Sequence, residues 1–359
     1  MPVLMLAAAL AVAPLSAPAT YHVGETARTV RPEGSRNWRG VADPVLPTRV
    51  WYPVDAALPV HSRRIGPPGL PFFLTHPVAR DAPFSPAQKR YPLIVLSHGT
   101  GGSVDTMEWL GSALAAAGYI VAGVDHPGNS VGSRMWDGFT LWWERATDIS
   151  QMLDALLVDP TIGPKIDTSR IGAAGFSLGG YTVLELAGAR TNLSAFLAFC
   201  GSARADAVCH PPEMERVSDK PGDGAPPSAA RAASLARSGA SYRDPRIRAV
   251  FAMAPAVAQS FDQRSFAGVA IPIELIGGDA DVHVPPATNL RHVAALYPAA
   301  KVTLIPGAGH YSFVQTCQPA AIERLGFVCR DNPGVDRDIV HQAAASEALR
   351  FFTETLRPR

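Results

Sequence analysis

Ser177 stands in Gly175-Phe176-Ser177-Leu178-Gly179-Gly180, with a glycine two places before it and two after. A hydroxyl is a poor nucleophile until a base takes its proton, and an imidazole base needs a carboxylate to fix its tautomer and stabilise its charged form. Two later stretches supply those residue types. Asp281 lies in Gly277-Gly278-Asp279-Ala280-Asp281, and His310 ends Pro306-Gly307-Ala308-Gly309-His310. Taken in the order Ser, Asp, His, the three make a nucleophile, an orienting acid and a general base, the set that acyl transfer through a covalent intermediate requires. His98 and His126 also follow apolar runs, but both precede the serine. The acid has rivals: Asp279 is two residues from Asp281, and Asp125 ends another apolar run. Asp281 lies further beyond the strand end, whereas Asp279 is placed to brace the turn.

Each of these residues needs a rigid element behind it. Arg170 to Ala174 is short, small and apolar, as a central parallel strand is, and Tyr181 to Gly188 carries Val183, Leu184 and Ala187 at helical spacing. Ser177 therefore sits on a sharp strand-to-helix turn, where side chains at positions 175 and 179 would collide with the backbone. Pro92 to Ser97 reads as a strand buried on both faces and runs into His98-Gly99-Thr100-Gly101-Gly102, whose exposed N–H groups can hold an oxyanion. A phosphate cradle is excluded because no Lys-Ser/Thr follows and the glycine spacing breaks at Val104. Further strands are expected at Tyr119–Asp125, Leu193–Phe199, Ile247–Ala254, Ile271–Ile276 and Lys301–Ile305. Helices are expected at Thr106–Ala117, Glu144–Leu157 and Ala287–Leu296, with a last one from an Asp336 cap. The alternation predicts an α/β fold, a mostly parallel doubly wound sheet. Antiparallel edge strands should come from Tyr21–Pro53, and a Pro-rich ordered loop from 54–90. Trp136, Phe139, Trp142 and Trp143 are dense enough to wall an acyl or alcohol pocket, or simply to pack onto the core.

The 359 residues, 47% of them hydrophobic, suffice for a full core, and 32 basic against 31 acidic residues leave a net charge of +1. No global field draws such a chain to nucleic acid or to an anionic membrane; the expected partner is a small molecule. Residues 1–19 read as a signal peptide, an apolar run too short for a stable membrane anchor that ends in Ala17-Pro18-Ala19, although no Lys or Arg precedes it. A secreted or periplasmic location follows, with residues 20–359 as the catalytic domain. The four cysteines fall into two near pairs, Cys200 with Cys209 and Cys317 with Cys329, and two local disulfides are the pairing that needs least rearrangement. Residues 201–243, rich in Ala, Arg, Pro, Gly and Ser, cannot build a core and are expected to form an insertion or lid after the nucleophile helix.

His98-Gly99-Thr100-Gly101-Gly102, the Ser177 turn, Gly278-x-x-Asp281-x-x-Val284-Pro285 and Gly307-x-Gly309-His310 resemble the α/β-hydrolase superfamily. Within it, Arg49-Val50-Trp51-Tyr52-Pro53 and Val124-Asp125-His126-Pro127-Gly128 are similar to bacterial dienelactone-hydrolase-like and platelet-activating-factor-acetylhydrolase-like esterases. The resemblance implies a cofactor-free and metal-free carboxylic ester hydrolase, with the N–H groups of Thr100 and Leu178 as its oxyanion hole. Two departures follow. Dienelactone hydrolases proper carry Cys where this chain has Ser177. The acetylhydrolases take their acid from the end of the preceding strand, where Ala254 and Pro255 stand here, so the acid is expected at Asp281. An exported amidase or peptidase with the same residues, or a catalytically silent binding protein, are the alternatives.

Overall fold

The protein is described by a computed structural model over residues 21–32, 45–67, 69–222 and 224–358; the signal-peptide stretch lies outside them. Nine strands form one sheet. In chain order they are β1 (His22–Val30), β2 (Leu46–Val54), β3 (Ala79–Arg80), β4 (Tyr91–Ser97), β5 (Ile120–Val124), β6 (Ile166–Phe176), β7 (Ile247–Met253), β8 (Ile273–Gly278) and β9 (Lys301–Ile305). Across the sheet they run β9-β8-β7-β6-β4-β5-β2-β1-β3. From β9 to β5 every pairing is parallel. At β5 the direction reverses, and β2 and β1 follow as antiparallel neighbours. All parallel strands therefore open their carboxyl ends on one edge, where loops can converge.

The sheet separates two apolar layers. Successive residues of β4 alternate between them, Leu93 and Val95 facing one side and Ile94 and Leu96 the other. This two-sided burial makes β4 a continuous apolar run rather than an alternating one. On one side pack α3 (Arg145–Val158) and α4 (Leu178–Ala187). On the other lie α1 (Glu108–Ala116) and the terminal helix α8 (Arg337–Thr355), which is capped by the Asp336 side chain on the Asp338 and Ile339 N–H groups. Trp109 on α1 stacks on His341 of α8 at 4.2 Å between ring centroids and donates its indole N–H to the Phe313 carbonyl. No helix among the described residues is long and apolar enough to cross a membrane.

Three expectations change. Leu193–Phe199 is a helix, α5 (Leu193–Cys200), because Asn192 caps it through the Ala195 N–H and its apolar run buries Phe196 and Phe199 while Leu197 points outward, a helical face. The 54–90 segment also contributes β3, which pairs parallel with β1 and moves β1 off the edge. The helix expected from Ala287 starts at Leu290 as α7 (Leu290–Leu296), since Pro285 and Pro286 head a preceding turn. Two shorter helices, α2 (Trp136–Thr140) and α6 (Ala229–Ala236), flank the site described below.

Asp125 follows β5, where its N–H joins the Pro47 carbonyl and its carboxylate accepts the Val104 N–H at 2.7 Å. Burial, only partly offset by that hydrogen bond, pushes its pKa from 3.8 to about 6. A carboxyl whose folded value is raised favours the fold while protonated, below pH 4, and that contribution is lost as pH climbs through 6. Asp125→Asn keeps an acceptor and removes the charge. It should raise the melting temperature at pH 8, by an increment worth at most about 3 kcal/mol, and leave it unchanged at pH 4. Thermal unfolding of both proteins at the two pH values checks this.

Candidate active site

Ser177 is the residue between β6 and α4, with φ 56° and ψ −120°. A side chain at φ near +60° is strained, and such conformations persist only where the surroundings over-determine them. Here β7 does so: the Ser177 N–H donates to the Met253 carbonyl at 2.8 Å, and the Ser177 carbonyl accepts from the Ala256 N–H at 3.0 Å. The flanking glycines answer to the same crowding. A Cβ on Gly175 would lie 2.2 Å from the Gly179 carbonyl oxygen, and one on Gly179 would lie 1.9 Å from that of Ser97. Only a chain without side chains there can bring β4, β6 and α4 this close.

The loops after β8 and β9 bring the other two residues to Ser177. His310 Nε2 lies 2.9 Å from the Ser177 hydroxyl, and its Nδ1 lies 2.7 Å from Asp281 Oδ2. Asp281 Oδ1 is held in turn by the N–H groups of His283 and Val284. All three side chains are buried, and Phe176 packs on the imidazole at 4.8 Å. Asp279 does not touch the histidine. Its carboxylate accepts the Gly307 N–H at 2.6 Å and so braces the turn that carries His310.

A second Ser–His–Asp chain lies directly beneath. His126 Nε2 is 2.9 Å from the Ser97 hydroxyl and its Nδ1 is 2.9 Å from Asp148 Oδ2, yet all three residues are inaccessible. With no opening beside Ser97, this set cannot meet a substrate; it anchors a loop. Arg145, also fully buried, donates to the carbonyl of His98, to Ser97, to Thr182 and, at 2.5 Å, to Asn129 Oδ1, which also accepts the Gly101 N–H. Burial pulls the guanidinium pKa down to about 9, with Asp148 opposing the fall. It still stays charged near neutrality. His98 is kept neutral by burial and by Arg145 next to it, and its Nε2 accepts the His126 N–H. The loop 98–101 is thus fixed from below, with Thr100 facing the opening at Ser177. Leu178 is the first residue of α4, so its N–H has no acceptor within the helix. Among the described residues no backbone carbonyl of another segment occupies the Thr100 N–H.

Residues 201–222 and 224–243 fold over this edge. The Cys200–Cys209 disulfide ties their start to the end of α5, and Arg231–Asp137 and Arg237–Glu144 ion pairs fasten α6 to the 136–144 segment. Cys317–Cys329 closes the segment that follows His310. Two spaces remain. A slot of about 40 Å³ lies against Ser177 and His310, bounded by Glu213, His283 and Tyr311. The Tyr311 hydroxyl donates to Glu213 at 2.8 Å. Burial, followed by the Glu213 charge, raises the phenol pKa and keeps it protonated, while burial, followed by His310, lowers that of His283. Beside the slot is a hollow of about 340 Å³ walled by Trp136, Phe139, Trp142 and Phe196. Among the described residues no cluster of three or more His, Cys, Asp or Glu could hold a metal ion. No motif in the sequence singles out Arg145, Asp148 or Glu213. Arg145 had a signal: it lies one turn before Ile149, on the inward face of its helix.

Comparison with known proteins agrees with this architecture. The family model of platelet-activating factor acetylhydrolase, isoform II, matches residues 73–136. Lipase 1 of Moraxella sp. (strain TA144) is 32% identical over 93 residues, 26% of this chain and 26% of that protein. Cutinase est1 of Thermobifida alba is 31% identical over 107 residues, 29% of this chain and 33% of the cutinase. The chain thus aligns with a third or less of the length of these curated relatives. A solved structure of a ferulic acid esterase from Streptomyces cinnamoneus superimposes with a TM-score of 0.62 at 18% identity, over 97% of this chain and 94% of that one. Sheet order, strand-to-helix turn and this superposition show the α/β-hydrolase fold, and the partial sequence matches are to proteins named as a lipase and a cutinase.

Proposed function

We propose that this protein hydrolyses carboxylic esters through an acyl-enzyme, with Ser177 as nucleophile, His310 as general base and acid, Asp281 as the orienting acid, and the Thr100 and Leu178 N–H groups as the oxyanion hole. The observation that carries this reading is the unbroken hydrogen-bonded line from Asp281 through His310 to a strained serine hydroxyl that opens on a slot. The Ser177 oxygen adds to the ester carbonyl carbon as its proton passes to His310 Nε2. The oxyanion faces the two N–H groups. When the carbon–oxygen bond to the alcohol breaks, the imidazolium returns that proton to the leaving oxygen, and the acyl group stays on Ser177. A water then repeats the sequence, giving its proton to His310 and its hydroxyl to the acyl carbon; Ser177 recovers its proton and the acid leaves. Every proton transfer is served by the chain's own groups, so neither a cofactor nor a metal is invoked.

The names of the partial relatives, a lipase and a cutinase, favour esters over amides as the substrate class. Two disulfides suit an oxidising compartment, which supports export behind a cleaved leader and residues 20–359 as the catalytic domain. Residues 201–243 act in this reading as a lid that stays fastened at Cys209, Arg231 and Arg237.

Ser177→Ala should cost about 10⁶ in kcat on p-nitrophenyl acetate while the circular dichroism and melting curve stay those of a folded protein. Turnover within tenfold of the parent would remove Ser177 from the mechanism. The two aspartates separate as well. Asp281→Asn should lower kcat by about 10⁴ by presenting the wrong partner to His310 Nδ1, whereas Asp279→Asn, which touches only the Gly307 turn, should stay within about tenfold of wild type. Steady-state kinetics at neutral pH reads both, and the reverse order assigns the acid to Asp279.

A further inference from the structure

The Thr100 N–H belongs to the peptide unit whose other end is the Gly99 carbonyl. No peptide bond among the described residues is cis, so these two groups point to opposite sides of that unit. Whatever holds the Gly99 carbonyl inward therefore turns the Thr100 N–H the other way, toward the slot that Thr100 lines. Two donors hold it: His98 Nδ1 at 2.7 Å and the Gly102 N–H at 3.2 Å. The unit also lies close to the nucleophile, since a Cβ built on Gly99 would stand 3.2 Å from that of Ser177.

The His98 ring can serve here in one tautomer only. A carbonyl oxygen accepts and never donates, so Nδ1 carries the proton; the His126 N–H donates to Nε2 at 3.1 Å, so Nε2 is bare. Moving the proton to Nε2 would set two donors against each other and leave the Gly99 carbonyl facing a bare nitrogen. A second proton on the ring is opposed by burial and by the Arg145 charge. With both nitrogens engaged, the ring is not available as a base. The neighbouring groups of the turn are claimed as well. Arg145 donates to the His98 carbonyl, Asn129 Oδ1 accepts the Gly101 N–H at 3.2 Å, and Arg134 donates to the Gly101 carbonyl at 3.1 Å. Between them the Thr100 N–H is left without a backbone acceptor among the described residues. Resting on the esterase reading above, we propose that His98 is a positioning residue for the oxyanion hole: its Nδ1–H, in the tautomer that the His126 N–H enforces, holds the Gly99 carbonyl inward and so aims the Thr100 N–H at the substrate's carbonyl oxygen, while Asn129 pins the far side of the turn. The same bond polarises the peptide and makes its N–H a better donor.

The test compares p-nitrophenyl acetate with its thiono analogue, in which sulfur, a weak acceptor, replaces the carbonyl oxygen. The parent should favour the oxygen ester in kcat/KM by more than hydroxide does in free solution. His98→Leu fills the space without the donor; it should lower kcat/KM on the oxygen ester by about 10² and the oxygen-to-sulfur ratio by about tenfold, in protein that circular dichroism shows to be folded. His98→Asn, whose amide N–H can reach the Gly99 carbonyl, should regain most of both losses. A general loss of packing would lower both rates and leave the ratio alone. If His98→Leu does not fold, Asn129→Ala, which frees the Gly101 N–H, should lower the same ratio. Nitrogen NMR of the histidine-labelled parent should find His98 protonated at Nδ1 and bare at Nε2, and the opposite tautomer overturns the proposal without recourse to any variant. An unmoved ratio in the folded variant also overturns it, while turnover of the acetate by the parent leaves the esterase reading standing. A parent ratio no higher than that of hydroxide removes the oxyanion hole and this inference together, and no turnover of the acetate rejects the esterase reading itself.

Discussion

The close approach of three backbones at Gly175 and Gly179 is the constraint on which the rest depends. A β-carbon at position 179 would stand 1.9 Å from the Ser97 carbonyl oxygen, so β4 and α4 can pack as they do only with glycine between them. That contact sets the angle at which α4 leaves β6 and forces Ser177 to a φ of 56°. It also presses the end of β4, and therefore the Thr100 loop, against the serine. One steric fact thus places both the hydroxyl and the nearest backbone donors.

Geometry alone does not distinguish the two Ser–His–Asp chains. Their hydrogen-bond lengths are nearly equal, and Ser97 even has a charged guanidinium within reach at 3.3 Å. What separates them is access and backbone. Ser97 ends an ordinary strand with no exposure, while Ser177 sits in a left-handed conformation beside an opening. The buried set works as a scaffold. Its histidine and arginine satisfy carbonyls and hydroxyls that would otherwise be unpaired beneath the loop.

Much of this was legible because it follows from local rules. The glycine spacing around Ser177 has a steric cause, two-sided burial shows as the run Pro92 to Ser97, and Asp336 announces α8 as a cap. Asp281 could be preferred to Asp279 from its place beyond the strand, and the contacts of the two side chains differ in the same sense. Other features depend on partners distant in sequence. Leu193–Cys200 is apolar enough for either element, and it is a helix because Asn192 caps it and no strand lies alongside. The choice of Glu144, Asp137 and Tyr311 as fasteners for the insertion follows from contacts across some 90 residues or more, which no local pattern encodes. The aromatics of 136–143 were visible as a cluster, but their use as a wall depended on where the insertion came to rest.

The stacking of Trp109 on His341 bears on the order in which the molecule can be made. Ser177 and His310 are separated by 133 residues, and the turn that presents His310 leans through Phe313 on a tryptophan of α1 that α8 covers. A nascent chain emerging from the ribosome can assemble most of the parallel sheet before its last helix exists. Until that helix docks, the imidazole's loop lacks its backing. On the proposed mechanism the serine lacks a settled base until the C-terminal helix docks, and competence for chemistry would arrive as one of the last events of folding.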